Sequence, residues 1–159
     1  MSDTLLLPPP GLTLTAQRII KRALKHLEKS LREPGVTLTS VTAMRDWLRL
    51  TLAGQEREVF MVFYLDNQHR LIDYETAFIG SVRYIDIQPR EIVKSALRCN
   101  AAAVILAHNH PSGYAEPSRQ DRLITKKLKS TLELVDVRIL DHLVVGHNDI
   151  VSFAERGWL

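Results

Sequence analysis

The chain has 159 residues, 45% hydrophobic and 25% charged, with a formal net charge of +3. That is enough for one domain with a real core, and the composition is neither disordered, collagenous nor disulfide-built. A single cysteine, Cys99, excludes an internal disulfide and a cysteine-built zinc cluster. No apolar run approaches the ~20 residues of a membrane span, and Met1 to Pro8 lacks the parts of a signal peptide, so a cytoplasmic protein with no membrane contact is expected.

In chain order, Pro8-Pro9-Pro10-Gly11 makes residues 1–11 a flexible tail. From Thr13 or Thr15 as cap, a helix is expected to about Arg32, with Ile19, Ile20, Ala23, Leu24, Leu27 and Leu31 on its packed side. Its other side carries Arg18, Lys21, Arg22, Lys25, Lys29 and Arg32, which is either a solvated face or a patch for an acidic partner or nucleic acid. After a break at Glu33-Pro34-Gly35, Ser40 is expected to cap a second helix reaching Ala53, with Met44, Trp47, Leu48 and Leu52 buried. Residues 12–54 therefore read as an N-terminal helical segment, and residues 55–159 as the main domain.

Glu58 to Leu65 is a nearly unbroken apolar strand, which suggests a central position in a sheet. Asp66 to His69 turns the chain, Arg70 to Phe78 returns as a hairpin arm, and Val82 to Ile87 is extended. Pro89 opens a helix to Asn100, and Ala101 to Leu106 is a buried strand. Arg119 to Leu134 is amphipathic through Leu123, Ile124, Leu128 and Leu132. Val137 to Val145 and Ile150 to Phe153 are the last strands. The order predicts an α/β fold, an α-β-α sandwich around a mixed sheet.

Between the buried strand and its following helix lies the chemistry. His108 and His110 are two apart at a strand end and share a face. Asp121 falls in the first turn of the next helix, from which a carboxylate can reach back. Two imidazoles and one carboxylate are a three-ligand set for zinc, with a position left open to water as in catalytic sites. Ser118 with Asp121 is also an S-x-x-D helix start, so capping alone would account for that pair but not for the two histidines. Asp141 and His142 are neighbours on a strand and point to opposite faces; one of them could support a ligand imidazole.

The spacing His108-x-His110-Pro111, then Ser118 and Asp121, resembles the signature of the JAMM (JAB, MPN+) metallopeptidases. The wording from Ala107 to Gly113 and from Asp141 to Gly146 resembles the RadC branch more closely, over the chain from about Glu58 onwards. The resemblance implies the JAB/MPN fold, similar to cytidine deaminases, with zinc on His108, His110 and Asp121. It further implies that Ser118 donates to the oxyanion and that a glutamate from an upstream strand holds the water. Glu75 matches the RadC pattern for that glutamate, Asp73 shares its face as a rival, and Glu116 is expected at the rim. RadC proteins usually carry an N-terminal helix-hairpin-helix region, for which the segment before the main domain looks too short.

The reading that follows is a zinc-dependent peptidase or isopeptidase acting through metal-activated water on a peptide or ubiquitin-like substrate. A DNA-associated accessory protein with a structural metal centre or nuclease activity is the rival, and a bare scaffold the third possibility.

Overall fold

The computed structural model describes residues 11–33, 38–80 and 86–159, with residues 38–41 described by backbone alone. The expected proline lead-in, the break at Pro34-Gly35 and residues 82–85 of the extended stretch lie outside them. The elements run α1 (Leu14–Leu31), α2 (Leu38–Leu52), β1 (Val59–Leu65), β2 (Leu71–Ile79), α3 (Pro89–Arg98), β3 (Ala103–Asn109), α4 (Arg119–Glu133), β4 (Arg138–Val145) and β5 (Ile150–Ser152).

Helix ends follow local chemistry. The Thr13 side chain accepts from the Ala16 amide at the start of α1, and Pro89 opens α3, where its missing N–H costs nothing. α2 begins at Leu38, so Ser40 lies inside its first turn instead of capping it.

The sheet order is β2-β1-β3-β4-β5. Among the described strands only β3 and β4 run parallel, and α4 is the crossover such a pair requires. Every residue of β1 is buried, because both faces of the sheet are covered. On one face Met61, Phe63 and Leu65 pack against Met44, Trp47, Leu48 and Leu52 of α2. Opposite them, Phe60, Val62 and Leu106 meet Ile92 and Ala96 of α3 and Leu128 and Leu132 of α4. Each fully buried large apolar side chain contributes about 1.5–3 kcal/mol. The α-β-α sandwich around a mixed sheet is the architecture expected. Two residues assigned to packed helix faces do not pack: Ile19 is 62% exposed and Leu123 51%. Among the described residues no helix is long and apolar enough to cross a membrane.

Candidate metal centre

β3 delivers the histidines. Its apolar run is clamped between β1 and β4, and the backbone beyond its end is held as the His110 amide donates to the Val145 carbonyl at 2.9 Å. His108 is 1% exposed and lies parallel to the Phe60 ring at a centroid distance of 5.9 Å. Asp121 reaches the centre from the first turn of α4 through a capping box. The Ser118 amide donates to Asp121 Oδ2 at 2.7 Å, and the Asp121 amide donates to Ser118 Oγ at 3.1 Å. The cap thus sets the carboxylate, and the Ser118 hydroxyl keeps its own hydrogen.

The four functional atoms meet closely. His108 Nε2 and His110 Nε2 are 3.1 Å apart, and Asp121 lies 3.2 Å from the first through Oδ1 and 3.1 Å from the second through Oδ2. Glu58 Oε1 is 4.0 Å from His108 Nε2. One donor atom from each of Glu58, His108, His110 and Asp121 lies within 4.8 Å of the others, a set that could hold a metal ion.

The outer hydrogen bonds decide where the imidazole protons sit. Thr125 Oγ1 donates to the Asp121 carbonyl at 2.6 Å, so it can only accept from His142 Nδ1, also at 2.6 Å. His142 Nε2 is then bare and accepts from His108 Nδ1 at 2.8 Å. His110 Nδ1 donates to the Tyr114 carbonyl at 2.8 Å. Both Nε2 atoms therefore present lone pairs, beside a carboxylate that presents more. Such a trio repels itself unless a proton or metal ion lies between. Zinc–ligand bonds of 2.0–2.1 Å imply tetrahedral edges of about 3.3 Å, close to the separations found here. The donor set fits a metal.

Charges agree with this placement. Burial alone would raise Asp121, but the two imidazoles, once protonated on Nε2, donate to it, outweigh burial and hold its carboxyl well below the usual range. The same carboxylate raises His110 above its ordinary 6.5, against the effect of burial. His142, wholly buried and beside His108, is pushed far below 6.5 and stays neutral. Burial raises the Glu58 carboxyl above 4.5; the nearby His108 opposes the rise, and Asp121 adds to it.

His108, His110, Ser118 and Asp121 come together as the sequence suggests, but Glu75 does not join them. It lies on edge strand β2 and accepts from the Tyr64 hydroxyl at 2.7 Å. Tyr64 is four residues along β1 from Phe60, the partner of His108, about 13 Å away at strand rise. Asp73 pairs with Tyr64 and is remote for the same reason. The carboxylate at the centre is Glu58. The β1–β3 register pairs Phe60 with His108, and continued by two residues it sets Glu58 opposite His110. Glu116 is at the rim, held by Arg156 through two bonds of 2.7 Å.

Three further residues serve the centre. His142 and Thr125 hold His108, while Asn109, between the histidines, accepts from the Val59 amide at 2.7 Å and donates to the Arg57 carbonyl at 3.0 Å. It ties the segment carrying Glu58 to β3. Asp141 faces away from the centre and instead accepts from Ser152 Oγ and the Ala154 amide.

The chain is 55% identical to the UPF0758 protein YfjY of Escherichia coli K12 over 159 residues, 100% of this chain and 99% of that one. It is 54% identical to YkfG of the same organism over 151 residues, 95% and 96% of the two chains. To a UPF0758 protein of Cellvibrio japonicus it is 52% identical over 143 residues, 90% of this chain but 63% of that one. The family model described as RadC-like JAB domain matches residues 38–158, from α2 through the centre to the last strand. The chain belongs to the RadC-like JAB domain family.

Proposed function

We propose that this protein is a zinc-dependent hydrolase that cleaves an amide bond, peptide or isopeptide, with His108, His110 and Asp121 as ligands and Glu58 as general base. The observation that carries the reading is the convergence of two bare imidazole nitrogens and a carboxylate beside a fourth, partly buried carboxyl. Zinc, when bound, would lower the pKa of water towards ~7 and polarise a carbonyl.

The chain's own groups account for the rest. Glu58 takes a proton from the attacking water as its oxygen bonds to the carbonyl carbon, then passes that proton to the amine nitrogen as the C–N bond breaks. Its raised affinity for a proton suits a group that must hold one between the two steps. The free hydrogen of Ser118 is available to the carbonyl oxygen as charge gathers there. Thr125, His142 and Tyr114 keep the ligand nitrogens bare and aimed.

The test is cleavage of a fluorogenic peptide library by zinc-loaded protein, with Glu58→Gln and Glu75→Gln alongside. The expected result is a loss of about 10²–10⁴ in turnover for Glu58→Gln, and near wild-type rates for Glu75→Gln. Equal loss in both, or full activity without Glu58, would overturn the assignment.

A further inference from the structure

We propose that the groove between α4 and the C-terminal segment receives an acidic polypeptide, the substrate class of the hydrolase proposed above, on which this inference rests. The groove encloses about 690 Å³ and is lined by Arg119, Arg122, Lys126, Lys129 and Trp158. The four cations follow one another at three, four and three residues, so they form one stripe along the helix. From Arg119 to Lys129 the stripe runs about 15 Å at helical rise, the length of some four or five extended residues at strand rise.

Most of these cations lack a carboxylate partner among the described residues. Among the described residues, Arg119 and Lys126 have no carboxylate partner, and Lys129 is 3.9 Å from Glu133. Glu116, the acid at the mouth, is already held by Arg156. The groove also borders residues that support the centre. Arg122 follows Asp121 directly, and Thr125, which supports His142, lines the groove. A chain laid along it lies against α4, the helix whose first turn carries Asp121.

Two features favour polypeptide over nucleic acid. Leu123 and Leu159 line the groove beside the cations, which suits glutamates interspersed with apolar side chains. Of the two aromatic rings lining it, Phe153 is 1% exposed and Trp158 is already covered by the guanidinium groups of Arg122 at 4.3 Å and Arg156 at 4.9 Å, so neither offers a stacking platform for a base.

The experiment is fluorescence anisotropy with metal-free full chain, using a labelled peptide rich in glutamate and leucine, its lysine counterpart, and single-stranded DNA of matched charge. The acidic peptide binds best, weakens with salt, and loses roughly tenfold in affinity in the Arg119→Glu, Lys126→Glu double variant, the sum of several exposed charge pairs. Circular dichroism, and zinc uptake on reconstitution of a separate sample, establish that the variant is folded. Equal binding of both peptides, binding of DNA in place of the acidic peptide, or an indifferent double variant each overturns the proposal. Because binding is read without turnover, failure of the hydrolase reading shows separately, as tight binding of an acidic peptide that zinc-loaded protein never cleaves.

Discussion

His108 and His110 present bare nitrogens to each other because their other ends are held by Thr125 through His142, and by the Tyr114 carbonyl. His142→Ala would leave the His108 Nδ1–H without its partner in a site that is 1% exposed and release the ring orientation. Metal affinity in that variant is expected to fall about 10–100-fold, as for other partners of ligand histidines, read by competition with a chromogenic chelator. An unchanged affinity would show that the ring is positioned without it. The proton placement also fixes a pH dependence. In the metal-free protein His110 binds its proton more tightly than the ordinary value of 6.5, while Asp121 is ionised far below neutrality. As pH falls through the raised His110 value, protons therefore compete with metal at His110 and not at Asp121. Affinity should be flat above that value and decline below it. Calorimetry in buffers of different ionisation enthalpy, near neutral pH, should record proton release on binding.

At the scale of elements, the centre depends on strands and turns that are far apart in sequence. Asn109 is 1% exposed and joins β3 to the residues before β1, so Asn109→Ala leaves the Val59 amide unpaired. It should cost about 1–3 kcal/mol in denaturant melts and lower turnover through misplacement of Glu58. The loop from His110 to Ala115 is clamped to the β4–β5 turn at Gly146, where an added Cβ would fall 2.4 Å from the Gly113 carbonyl oxygen and 2.9 Å from the Ala115 nitrogen. Gly146→Ala should cost about 1–3 kcal/mol and loosen the Tyr114 carbonyl that holds His110. A melt unchanged from wild type would contradict that clamp. Such cross-chain dependence explains what was legible in the sequence. His108, His110, Ser118 and Asp121 lie within fourteen consecutive residues, where strand alternation and capping act locally. Glu58 enters through the pairing of β1 with β3, a register that neither strand's pattern reveals, and its rival Glu75 sits in an arm that resembled the expected place. Alternation correctly separated Asp141 from His142, but which of them faces the site depends on how β4 pairs with β3, including the shift at Val104 and Ile105. Ile19 and Leu123 fit their helical stripes by spacing alone, and among the described residues none buries them.

At the scale of the molecule, metal ligation would join the end of β3 to the start of α4, the entrance to the parallel crossover. A ligand that binds only the folded chain stabilises it by about 2.7 kcal/mol at a hundred times its dissociation constant. For a chain of this size that corresponds to a rise in Tm of roughly 5–10 °C. The rise should be absent in His110→Ala. The exposed cations of α1, Arg18, Lys21, Arg22 and Lys25, lie on the opposite layer from α4, so reversing them should leave metal binding unaltered.

The most direct measurement is elemental analysis of the purified, zinc-reconstituted protein, with Glu58→Gln, His110→Ala and Asp121→Ala prepared in parallel. The account predicts about one zinc per chain in the wild type and in Glu58→Gln, which keeps all three ligands, and its loss from the other two variants. Wild-type protein that takes up no metal, or variants that retain it without His110 or Asp121, would contradict the centre as drawn and the hydrolase reading with it.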